Sequence, residues 1–468
     1  MPRIDDQKSP LTPTPKAPTA PTGPVPVAPQ APQQSLPQDA AAIRTKERSQ
    51  GPELSEVVKK AQAAAGAGEP PQSQASAKAQ AEPKAEPKTE QKGFFASLWG
   101  KVTGAVSSAV SSLGDLWKSV TGKASDVGTD LYHKGGNLAF GVSFEDFKSR
   151  EVVDDPSDVN DYSYTDESQA AQETQANLKA EQAALAKLPS EDQGKYQAIL
   201  GQVEGEPMAR RQMQAMLLSG ALTDKKALVG GQNLLSQLSA MTTQPLAEGI
   251  DRKALIAQVI GEVENPVRIA QHSMNTCGAT TAQILLARKN PAEYVRLVAG
   301  LADPKGKVET AGGSTLKRPS DWAFEKDGGR SLPSRLFQPA VMQLSEMIPG
   351  FSYDNSEDKN VLINKPIFAG MFGVQEAKID TALTGQNYDN HMFMAWNRDS
   401  QWEKLKETVA KGGEPVPVSM TWEGGGHFVQ VDQIADGKVH YTNPWGQRET
   451  MDEAEFKAHI TEYQAIDK

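Results

Sequence analysis

The sequence predicts an α+β protein, on three observations. Strong helix formers and helix-capping patterns, punctuated by Gly and Pro, run from 166 to 301. The last strong patterns, from 414 to 443, instead alternate apolar and polar around an Asp-Gly turn. Helices first and strands last is the order expected of an α+β domain.

The chain before those helices has a different character. Its first 93 residues contain no Phe, Trp or Tyr but 16 of the 31 prolines. Such a composition cannot bury enough apolar area to offset the entropy of ordering. Residues 1–92 therefore read as a disordered Pro/Ala/Gln-rich tail, which also explains the low mean hydropathy of −0.52. Residues 93–121, "GFFASLWGKVTGAVSSAVSSLGDLWKSVT", place apolar side chains at 95, 98, 99, 102, 106, 109, 110, 113, 117 and 120. Those steps of three and four make one stripe of an amphipathic helix. It suits a docked helix, or a peripheral contact with a membrane. Residues 122–164 are polar and Gly/Asp-rich and read as a linker with little regular structure.

The helical region follows over 166–263. "DESQAAQETQANLKAEQAALAKL" stops before Pro189, and Ser190 with Gln193 has the spacing of a capping box for the next helix. Three more segments begin near Glu206, Gly230 and Asp251. A mixed domain over 265–468 comes after them. Its helices are expected at 277–289, 291–301, 331–347 and 399–413, with a short one at 452–460. "EPVPVSMTW" reads as a strand, and "HFVQVDQIADGKVHYTN" as a hairpin. Residues 303–330 are polar and Gly-rich, and 350–397 carry no clear pattern.

A net charge of −10 argues against a nucleic-acid footprint. The chain shows no signal-peptide pattern and no run of 18 apolar residues. A cytoplasmic protein, or one exported by a non-classical route, fits this. No CxxC, HExxH, P-loop or GxGxxG pattern is present, so no metal or cofactor is expected.

The chemistry concentrates on Cys277, the only cysteine. A nucleophilic thiol needs a lowered pKa, a base, a group to orient that base, and an oxyanion donor. Cys277 lies where "HSMNT" gives way to "GATTAQILLARK", that is, at a helix start, where free N–H groups favour a thiolate. His427 opens a strand after "EGGG". Asn443 lies sixteen residues later on the return strand, at an even spacing that lets both face one side. An Asn carbonyl there would fix the tautomer of the imidazole. Gln271, six residues before the cysteine, is a candidate oxyanion donor, with Asn275 or a backbone amide as alternatives. His391 is a second candidate base. His440 would face away from Val439 and Tyr441, His272 is too close to Cys277, and Asp432 alternates onto the face opposite Val431.

These pieces, "Q271-HSMNT-C277-G278", "GGGH427F" and "N443-P-W-G446", resemble the papain-like cysteine peptidase superfamily over about residues 265–468. The "PVPV" strand and "GHF" hairpin resemble the bacterial branch that includes bacteriocin-processing peptidases. The resemblance implies a papain-like fold in which Cys277 attacks an acyl carbon, His427 is the base, Asn443 orients it and Gln271 supports the oxyanion. Trp445 would shield the His–Asn hydrogen bond. The sequence departs from the pattern at two residues and over 303–390, a stretch with no counterpart in it. Ala279 stands where the bacterial branch usually has proline, and Asn443 where it usually has Asp. The implied activity is hydrolysis of a peptide or protein substrate through a thioester. Acyl transfer to or deamidation of Gln side chains, an inactive peptide-binding adaptor, and an exported or membrane-acting effector are the alternatives.

Overall fold

A computed structural model describes residues 140–154, 164–324, 329–346, 351–362, 365–366, 370–422 and 425–466. The tail over 1–92 and the amphipathic segment over 93–121 lie outside the described residues.

The chain runs β1 (Glu151–Asp154), α1 (Tyr164–Leu185), α2 (Ser190–Gln202), α3 (Pro207–Ser219), α4 (Ala221–Asp224), α5 (Leu234–Met241) and α6 (Arg252–Glu264). It continues with α7 (Cys277–Lys289), α8 (Pro291–Ala302), β2 (Lys307–Glu309), β3 (Thr315–Lys317) and α9 (Leu332–Leu344). Next come β4 (Phe351–Asp354), β5 (Lys359–Leu362), β6 (Lys365–Pro366), α10 (Gly373–Thr384), β7 (Tyr388–Met392) and α11 (Arg398–Gly412). The last elements are β8 (Val416–Trp422), β9 (Gly425–Ala435), β10 (Lys438–Asn443), β11 (Gln447–Asp452), α12 (Glu453–His459) and β12 (Ile460–Ile466). The fold is thus mixed helix and antiparallel sheet, as an α+β chain requires.

Local chemistry sets many of these boundaries. The side chains of Asn233, Asp251 and Asn290 accept from the N–H groups of Ser236, Ala254 and Glu293, capping α5, α6 and α8. Pro207 and Pro291 occupy first helical positions, where a missing N–H costs nothing. The capping box expected at Ser190 does not form. Ser190 is already helical, and Gln193 donates back to the carbonyl of Leu188 instead.

The main sheet has the order β1-β11-β10-β9-β8-β12-β7, antiparallel throughout. Asp436 and Gly437 both take positive φ at the β9–β10 turn, the conformation that favours Asp-Gly in two-residue hairpins. The stretch read as a linker contributes β1, paired with β11 at the sheet edge. Its Val152 and Val153 are exposed, so no buried apolar residue marked it as a strand.

Alternation along β9 divides the interior. Phe428 joins a helical core that reaches from Tyr196 through α7 to Leu383, so the 166–263 region shares its core with the Cys277 helix. Val429 and Val431 face a second core with Val439, Tyr441, Trp402 and Phe456, roofed by α11 and α12. Helix α7 is buried along its first eleven residues and packs against α6, α8, α9, α10 and β9. Each fully buried Leu or Ile there contributes about 1.5–3 kcal/mol.

Candidate functional site

Cys277 is the first residue of α7 and is 8 % exposed. Its sulfur faces the backbone N–H groups of Phe428, Gly278 and Cys277 itself, all of which favour the thiolate. Burial outweighs them, and the carboxyl of Glu376 opposes the negative charge as well. The thiol is pushed up to about 11.

His427 lies beside Phe428 in β9 and is buried. Its Nε2 is 2.9 Å from Asn443 Oδ1, a contact made because β9 and β10 carry the two residues on one face. The N–H of Trp445 donates to the same oxygen at 3.2 Å. Rings of Trp422 and Trp445 pack against the imidazole, at centroid distances of 4.8 and 5.1 Å. That dry setting pushes the imidazole down to about 4, although the Asn443 hydrogen bond and the charge of Glu449 pull the other way. Thiol and imidazole are therefore both uncharged near neutral pH. No hydrogen bond joins Cys277 to the ring among the described residues. The sulfur meets the peptide N–H that follows His427.

Gln271 is buried, and its Nε2 donates to the carbonyl of Met274 at 2.6 Å. Its own N–H donates to Pro444, and Ala270 bridges Trp445, so the Gln271 loop is tied to the "NPW" turn. Asn275 is engaged by Asp358, through its backbone N–H at 2.9 and 3.0 Å and through its side chain. Asp432 sits at a bulge between β9 and β10 and pairs with Arg288 and Thr442, not with His427. His391 stacks on Tyr463 at 4.7 Å, away from the thiol's contacts, and His440 lies opposite Thr450 and Gln433.

Two groups of residues at this site escape a reading of the sequence. Glu449 accepts from Asn443 Nδ2 at 3.0 Å and takes a two-pronged grip from Arg150 of the β1 segment, at 2.8 Å for each bond. The Arg150 guanidinium also lies over Trp422 and Trp445, at 4.8 and 5.3 Å. The second group is Glu376 and Asp380, one turn apart on α10. Both are fully buried, and neither carboxyl has a hydrogen-bond partner among the described residues. Burial holds Glu376 well above the usual carboxylate range, and the charge of Asp380 adds to this. Glu376 Oε2 lies 2.8 Å from where a Cβ on Gly278 would stand. A side chain at 278 would have to displace that carboxyl.

No protein-family model matches the chain, and no relative is found among curated proteins.

Proposed function

We propose that residues 265–468, with the β1 segment, form a papain-like thiol hydrolase that cleaves peptide bonds through a thioester. One observation carries this reading: the lone thiol, at the start of a buried helix, abuts the peptide of a histidine whose Nε2 is held by a buried asparagine.

With Nε2 turned to Asn443, Nδ1 is the nitrogen left for the thiol. Attack would proceed from the uncharged pair. As Cys277 Sγ bonds to the acyl carbon, its proton passes to Nδ1. The C–N bond then breaks, and the imidazolium returns that proton to the departing amine. Water, activated by the same nitrogen, hydrolyses the thioester and frees the thiol. The dry Trp-lined setting strengthens each charge interaction as the imidazolium forms. The N–H of Cys277 and the remaining N–H of the Gln271 amide are the candidate oxyanion donors, with the Met274 carbonyl fixing that amide. The absence of a direct Cys–His bond suits a resting enzyme, because catalytic hydrogen bonds often tighten only when substrate binds.

The test is a proteome-derived peptide digest with wild type, Cys277→Ala and His427→Ala in parallel. Cleavage products and a thioester mass on Cys277, absent from both variants, are expected. Products that persist in Cys277→Ala, or none from wild type, overturn the reading. New isopeptide links, or a mass gain on Gln without cleavage, would identify acyl transfer or deamidation instead.

A further inference from the structure

We propose that Arg150 and Glu449 are positioning residues that set the tautomer of His427 through Asn443. The proposal rests on the thiol-hydrolase reading for its kinetic arm, but not for its spectroscopic one.

An Asn side chain can sit either way round, with its oxygen or its NH₂ toward a given neighbour. At Asn443 the choice is dictated. A carboxylate only accepts hydrogen bonds, so the group facing Glu449 Oε1 at 3.0 Å must be the NH₂. The other end is then the carbonyl oxygen, and the N–H of Trp445, a donor, faces it. A carbonyl oxygen 2.9 Å from His427 Nε2 requires that nitrogen to carry the proton. Nδ1 therefore holds the lone pair. A neutral acid or an amide at 449 could present either a donor or an acceptor, and the dictation would be lost.

Glu449 is 1 % exposed, and Arg150 supplies the opposite charge there. The two parallel bonds from Nε and Nη2 to Oε2 and Oε1 match the planar fork of a guanidinium to a carboxylate. Arg150 is fixed in turn. Its guanidinium lies on the two tryptophans that flank the imidazole. The backbone N–H groups of Lys148 and Ser149 donate to Glu455, each at 2.8 Å. Val152 then pairs with Glu449 itself. A segment that precedes the entire helical region thus closes a line of contacts ending on the catalytic base. The hydrolase is discontinuous in sequence, and residues 140–154 belong to it.

The test compares wild type with the R150M/E449Q double variant, which leaves no orphan charge, and with R150K, which keeps the charge but not the fork. The readout is the ¹⁵N signature of the His427 ring at pH 7, assigned by its loss in His427→Gln, alongside melting temperature and peptide hydrolysis. Wild type is expected to show a single Nε2-protonated form. R150M/E449Q should show a mixture of tautomers and a kcat lowered about two- to tenfold, as the fraction with a free Nδ1 lone pair falls, with KM within about threefold. R150K should keep the Nε2-protonated form and a kcat within about twofold of wild type. If the double variant folds poorly, the wild-type spectrum and R150K still decide. A wild-type Nδ1-protonated ring, or a tautomer mixture in R150K equal to that of a histidine in an unfolded chain, overturns the proposal. So does a folded double variant with an unchanged ring and unchanged kcat. If wild type hydrolyses nothing, the ring spectra alone decide whether Arg150 and Glu449 set the tautomer, so the two readings fail separately.

Discussion

The uncharged state of the site is open to direct measurement, because Cys277 is the only thiol in the chain. Burial, with Glu376 nearby, pushes that thiol up to about 11. At pH 7 such a thiol is ionised in roughly one molecule in 10⁴, against about 3 % for an unperturbed thiol near 8.5. The native thiolate population is then about 300-fold below that of the same chain unfolded in urea. Iodoacetamide labelling, followed by intact mass from pH 5 to 11, should rise tenfold per pH unit without a plateau below pH 10. The shape of the curve, not its height, is decisive, since 8 % exposure slows the reagent at every pH. His427→Ala should leave the slope in place, because an uncharged imidazole does not hold the thiolate. A plateau already reached near pH 6, collapsing in His427→Ala, would show a thiolate–imidazolium pair and refute the argument from burial.

Other outcomes follow from particular contacts. Glu262, buried and bonded by Tyr294, Ser331, Ser334 and Gln283, is pushed up to about 7. A carboxyl raised in the folded state stabilises fully below its ordinary value of 4.5 and loses that contribution as pH rises through about 7. Urea titrations should therefore show a stability decline across that window, shared with Glu346, of which Glu262→Gln removes about 3 kcal/mol. Gly312→Ala would place a Cβ 2.6 Å from the backbone oxygen of Thr381, which cannot yield as a side chain can. A loss of about 1–3 kcal/mol is expected, and an unchanged urea midpoint would contradict it. Gln271→Ala should lower kcat by about 10²-fold with the melting temperature nearly constant, and a kcat within twofold of wild type would remove Gln271 from the oxyanion site.

Legibility in the sequence followed the range of the forces involved. Helix α7 could be read from a turn-like stretch, a run of helix formers and Asn290-Pro291, all of them local. The β9–β10 hairpin could be read from one Asp-Gly turn, but its two-residue turn alone would put His427 and Asn443 on opposite faces, and only the bulge at Asp432, which no pattern announced, brings them together. Arg150 was not legible, because it meets Glu449 across 299 residues and its strand has no apolar face. Glu449 did leave a trace. It stands opposite Tyr441 and two residues from the buried Met451, so a charged side chain points inward in "QRETMD". Helix α10 was obscured for another reason. It carries acids on buried positions, where a pattern reading assigns them to solvent.

The late partner of Arg150 also has a consequence in time. At about 5–20 residues per second, a ribosome that has just made Arg150 needs roughly 15–60 s to deliver Glu449. Strands β8 to β12, which supply the sheet under the imidazole, arrive in the same closing seconds. A nascent chain therefore carries its thiol through about 150 further residues before His427 is made. On the thiol-hydrolase reading, the thiol stays idle until the stretch from His427 to Glu449 has been threaded into place.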